Sequence, residues 1–178
     1  DYTVFDINVN GIGVLNSSHG LEKICVNINF PHDENLKLAL RSPFGSIIIL
    51  SENNGGKGSD YIGTCFDGVS TKSIALGEAP FTGNFLAERS LGILNNNQSG
   101  DGKWSLIIYN NSTSLSGNLT NWTLTFGNNP VITPPDPPYP NCSSNIPTTC
   151  TTEAFCDYGK SFCGVYNNAY GMLVVNPQ

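Results

Sequence analysis

The sequence predicts an all-β protein, built as a two-sheet antiparallel sandwich. Three observations carry that expectation. Apolar residues alternate with polar ones in several short runs, only 12% of residues are charged, and Gly, Asn, Ser and Thr are abundant. Period-two alternation places one face of a strand in a core and the other toward water. Long helices would call for more Ala, Glu, Lys and Leu.

The first clear run is "KICVNINF", in which Ile24, Val26, Ile28 and Phe30 alternate with Cys25, Asn27 and Asn29. In "LKLAL", Leu36, Leu38 and Leu40 do the same against Lys37 and Ala39. "SPFGSIIIL" then places Pro43 and Gly45 in a tight connection before the β-branched run Ile47 to Ile49, which reads as a return strand. "GKWSLIIYN" and "NWTLTFG" repeat the alternation around Trp104 and Trp122, both expected in the core. Between them, Gly117 in "NSTSLSGNL" suits a turn with positive φ.

Composition changes at "NNPVITPPDPPYPN", where six of fourteen residues are proline. Such a run favours extended polyproline II and excludes helix and central strand. The expected organisation is a sandwich over residues 1–127, a proline-rich linker over 128–141 and a small tail over 142–178. A 37-residue tail is too short to fold on apolar burial alone. Its cysteines, Cys142, Cys150, Cys156 and Cys163, lack the paired spacing of zinc ribbons and point to disulfides. Cys25 and Cys65 fall in two predicted strands and either bridge each other or remain buried thiols.

A net charge of −6 offers no basic stripe for a phosphate backbone, so nucleic acid is not an expected partner. No apolar run reaches the ~20 residues of a membrane span. No basic-then-apolar leader precedes Asp1, so an exported protein would be read here in processed form. The even cysteine count favours an oxidising, secreted, extracellular or cell-surface location. The two histidines, His19 and His32, lie in no catalytic motif, and no catalytic residue is nominated.

The order of the loops between these strands is informative. "VNINFPHDENLKLALRSPFGSIIILSENNGGKGSDYIGTCFDG", then "APFTGNFLAE", then "GDGKWSLIIYNNSTSLSGNLTNWTLTF" resembles the P domain (P/Homo B domain) that follows subtilisin-like catalytic domains in proprotein convertases, in the form found in secreted bacterial proteins. The resemblance covers about residues 5 to 127. It rests on the S-P-x-G hairpin, the glycine-rich "NNGGKGSDY" loop, "APFTG", and the G-x-W-x-L and N-W-x-L pair. It implies a jelly-roll-like sandwich with a non-catalytic role, packing on and stabilising a protease, or standing alone as a surface or accessory unit.

Calcium is the possible cofactor. Oxygen ligands are dense at Asp33, Glu34 and Asn35, at Asp60 and at Asp67, and the resemblance brings these loops to one end of the sandwich. The expected ligands are Asp33, Asn35, Asp60 and Asp67. Asn35 and Gly68 replace acidic residues usual in the family, which weakens such a site. Seven N-x-S/T sequons exceed chance only weakly; Asn16, Asn111, Asn118, Asn121 and Asn141 are the glycosylation candidates, beside Asn97 and Asn110.

The terminal run Met172, Leu173, Val174 and Val175 has strand propensity and is expected to add to the edge of a neighbouring copy. The first functional expectation is therefore a self-assembling fibre or surface component, as a homo-oligomer or filament. The alternatives are an accessory domain of a secreted subtilisin-like protease or other hydrolase, and a calcium-assisted module that binds surface glycan.

Overall fold

The computed structural model describes residues 1–132 with their side chains and, beyond them, the backbones of three strands, Ala154–Asp157, Lys160–Asn167 and Met172–Val175. The chain divides into two compact units, Asp1–Thr133 and Pro134–Gln178.

The first unit is a sandwich of two four-stranded sheets. One contains β1 (Tyr2–Val9), β4 (Leu36–Arg41), β5 (Ile47–Glu52) and β9 (Gly102–Asn110), in the order β1-β9-β4-β5. The other contains β3 (Gly20–Asn29), β6 (Tyr61–Asp67), β7 (Phe81–Phe85) and β10 (Asn118–Gly127), in the order β10-β3-β6-β7. A short pair, β2 (Val14–Leu15) and β8 (Gln98–Ser99), completes the unit. The chain crosses repeatedly between the two sheets, as expected for a jelly-roll-like sandwich. Pairing is antiparallel except for β6 with β7, which run parallel because the long loop from Gly68 to Pro80 returns the chain to the same end.

The alternating residues meet between the sheets. Ile24, Val26, Leu38, Leu40 and Leu106 are fully buried, together with Trp104, Phe66 and Phe81. Trp104 also donates its indole N–H to the Gly100 carbonyl at 2.8 Å, so its one polar atom is satisfied. Trp122 differs from expectation. It lies on β10, an edge strand paired only with β3, and is half-buried rather than enclosed. Gly117 also departs from its predicted role: it has no positive φ, and a Cβ there would lie 2.2 Å from the Asn29 carbonyl oxygen. Close backbone approach, not turn geometry, demands glycine at that position.

The boundary of the first unit also moves. Asn128, Asn129 and Val131, assigned from composition to the linker, are hydrogen-bonded to the sandwich. In the second unit β11 (Ala154–Asp157), β12 (Lys160–Asn167) and β13 (Met172–Val175) form a three-stranded antiparallel sheet with β12 at its centre.

Candidate functional site

The most unusual chemistry in the sandwich is a pair of carboxyls at one of its ends. After β3, Asp33–Asn35 form a single 3-10 turn, and the glycine-rich segment 53–60 lies against it. The Asp33 and Glu34 amides donate to the carbonyls of Gly58 at 2.9 Å and Gly56 at 3.0 Å. Gly55 lets the two segments close: its φ is +83°, and a Cβ there would approach the Phe81 ring to 2.8 Å and Asp33 Cβ to 3.0 Å. Asp60 also has positive φ, at 79°, a region Asp tolerates better than most residues, and its Oδ1 accepts the amide of the distant Phe30 at 2.8 Å.

The Asp33 side chain is thereby fully buried. Its Oδ1 accepts the Asp60 amide at 3.2 Å, while its Oδ2 is buried with no hydrogen-bond partner. Burial pushes the carboxyl up to about 7; the Asp60 amide opposes that shift and the Asp60 carboxylate reinforces it. Beside them Tyr61 is buried, with its hydroxyl 3.1 Å from that of Ser51. Burial also raises the Tyr61 phenol, against the Ser51 hydrogen bond. The sequence reading missed Tyr61 and Ser51, although Tyr61 follows Asp60 directly and falls in register with Phe81.

Of the four expected calcium ligands, the fold joins Asp33 and Asp60 and keeps Asn35 on the same turn, where its side-chain amide donates to the His32 carbonyl at 3.3 Å. Asp67 does not join them. Asp60 and Asp67 flank opposite ends of β6, and Asp67 pairs with the Lys23 ammonium at 2.9 Å and accepts the Val69 amide at 3.1 Å. An extended strand of that length holds its ends about 20 Å apart. Among the described residues no group of three or more His, Cys, Asp or Glu is placed to hold a metal ion. Two carboxylates, each hydrogen-bonded by a backbone amide at Oδ1, supply fewer oxygens than the six to eight that calcium takes. The orphaned Asp33 Oδ2 fits a proton or a single cation contact.

Cys25 and Cys65 face each other in the β3–β6 register and form a disulfide, which closes the alternative of buried thiols. Cys156 and Cys163 lie on β11 and β12, but their side chains, and all of Cys142 and Cys150, lie outside the described residues. Among the sequons Asn97, Asn111, Asn118 and Asn121 are exposed. Asn16 and Asn110 are half-buried and engaged: Asn16 Oδ1 accepts the Ser18 amide, and the Asn110 side-chain amide donates to the Leu115 carbonyl. Asn141 lies outside the described residues. The run Met172–Val175 is strand β13, paired with Asn167 to Gly164 of β12, which leaves it at the edge of its sheet.

A sequence-family profile described as "Proprotein convertase P-domain" matches residues 22–126, from within β3 to the end of β10. The chain belongs to the proprotein convertase P-domain family. The P domain match takes in seven of the eight long strands of the sandwich and leaves β1 outside, together with the segment after Phe126. No curated protein matches the chain. Solved structures similar to it include the Aeromonas sobria serine protease in complex with the chaperone, at 18% identity and a TM-score of 0.31, and the serine protease of Aeromonas sobria, at 16% and 0.29. Each match covers 72% of this chain and 24% of the other, so the P domain chain spans about a quarter of those proteins' length.

Proposed function

We propose that this chain serves as a non-catalytic accessory module of a secreted subtilisin-like protease or related hydrolase, stabilising its partner by packing against it. The family match over residues 22–126 carries this reading. His19 shares a 2.8 Å hydrogen bond with Asn128, His32 opens a 3-10 turn, and neither is hydrogen-bonded to a serine, cysteine or carboxylate among the described residues. No described helix is long and apolar enough to cross a membrane, and the Cys25–Cys65 disulfide favours an oxidising, extracellular setting.

Expressing the chain together with a subtilisin-like catalytic domain from the same source tests the proposal. The two should co-elute, and the protease should melt higher with the chain than without it, because a partner that binds only the native state stabilises it. A protease that elutes and melts as it does alone would overturn the reading.

Self-assembly is the second reading, and one observation favours it. Among the described strands β13 lies at the edge of its sheet, and the outer backbone groups of an edge strand offer a template for a strand of another copy. A head-to-tail contact of that kind would propagate as a filament unless it closes a ring.

A further inference from the structure

The segment that leaves the sandwich is held by a set of contacts that composition alone assigns to a free linker. We propose that Asn128 to Ile132 form an anchor strap, an integral part of the module that fixes where the chain leaves the sandwich.

Three side chains from two parts of the sandwich grip this strap: Asn95, and His19 with Glu22 at the start of β3. Asn95 is 4% exposed; its Oδ1 accepts the Leu21 amide at 2.8 Å, and its Nδ2 donates to the Leu21 carbonyl at 3.0 Å and the Val131 carbonyl at 2.8 Å. The carboxamide thus bridges the β3 backbone to the strap. Glu22 Oε1 accepts the Asn129 amide at 2.7 Å, and His19 Nδ1 meets Asn128 Oδ1 at 2.8 Å. All of these close long loops, with partners 36 to 109 residues apart. Local turn propensity does not account for them.

Three glycines make the bed. A Cβ on Gly68 would lie 2.8 Å from Val131 Cγ2, one on Gly20 would lie 3.0 Å from Pro130 Cβ, and one on Gly127 would lie 2.3 Å from Glu22 Oε1. None of the three has positive φ, so space rather than backbone conformation requires glycine there. The strap also forms one wall of a cavity of about 120 Å³ lined by Glu22, Lys23, Asp67, Gly68 and Val69, and so helps to cover the Lys23–Asp67 ion pair. Buried carboxamides that satisfy backbone groups on both sides specify a single arrangement, because leaving any of them unpaired is costly.

Amide hydrogen exchange on the full chain tests the anchor. In the wild type the Asn129 amide should exchange about tenfold or more slowly than a free-chain amide. Glu22→Ala, which removes its acceptor, and Gly68→Ala, which pushes against Val131, should each abolish that protection while leaving core amides such as Val26 protected. Glu22→Gln keeps an acceptor and should retain most of it. Limited proteolysis should leave residues 128–132 uncut in the wild type and cut within them in Asn95→Ala. Free-chain exchange at Asn129 in the wild type, or unchanged protection in both Glu22→Ala and Gly68→Ala, would overturn the proposal. If a variant unfolds as a whole, Val26 loses protection with it, and the wild-type and Glu22→Gln profiles decide the question.

Discussion

A carboxyl as enclosed as that of Asp33 stays charged only with a partner, and its Oδ2 has none. With the folded value at about 7 and an unfolded value of about 3.9, folding takes up a proton. The resulting stability is complete below about pH 4 and is lost as the pH rises through about 7, by up to about 4 kcal/mol. Melting should therefore fall between pH 5 and pH 8. Asp33→Asn, which carries hydrogens in place of the acidic proton, should flatten that fall and melt higher than wild type at pH 8. If a cation contacts Oδ2 instead, millimolar calcium should restore wild-type melting at pH 8, a chelator should reverse the gain, and Asp33→Asn should be insensitive to both. A wild type equally stable at pH 5 and pH 8 without added metal would refute the protonated reading. The two tryptophans separate at the same scale. Trp104→Ala should cost about 3–5 kcal/mol because the ring is fully enclosed, whereas half-buried Trp122→Ala should cost clearly less. Chemical denaturation of both variants measures the difference.

Strand pairing decides what each element contributes. β3 is flanked by β10 and β6 and carries Ile24, Val26 and Ile28 into the core, so the disulfide from Cys25 to Cys65 ties a central strand to its neighbour. It spans 40 residues, and closing a loop of that length in the unfolded chain is worth about 4 kcal/mol on the chain-entropy account. The double variant Cys25→Ala with Cys65→Ala should lose stability of that order in denaturant titration; a loss well under 1 kcal/mol would show that the β3–β6 ladder is sufficient alone. The crossing from β9 to β10 depends on Gly117, which sits against the Asn29 carbonyl. Gly117→Ala forces a backbone shift there and should cost about 1–3 kcal/mol.

For the whole molecule, accessory packing and self-assembly make different predictions about the terminal sheet. If β13 is the connector between copies, deleting residues 171 to 178 should abolish any oligomer seen by light scattering while the sandwich keeps its melting temperature. If the sandwich works by packing on a hydrolase, the deletion should leave complex formation with that partner unchanged. An oligomer that survives the deletion would remove β13 from assembly.

The strands from Lys23 to Phe30, Leu36 to Leu40 and Gly102 to Asn110 could be read directly from alternation, because the period-two pattern is a local consequence of facing a core on one side. The loop signature between them was equally legible and carried the family. β1 was not read, although Phe5, Ile7 and Val9 alternate with Asp6 and Asn8; the adjacent apolar pair Val4 and Phe5 breaks the phase at its start, and Tyr2 and Val4 face solvent. Density of oxygen ligands along the chain suggested one calcium site, yet β6 holds Asp60 and Asp67 at its opposite ends, and only the folded strand reveals that separation. Proline content marked the end of the sandwich near Gly127, but Asn95, Glu22 and His19 retain the next five residues through contacts that reach across the chain. The sequence by itself determined the class of fold and the family, since both rest on local patterns and their order. The burial of Asp33, the disulfide partner of Cys25 and the docking of the strap depend on which distant segments meet, and the tertiary structure alone decides that.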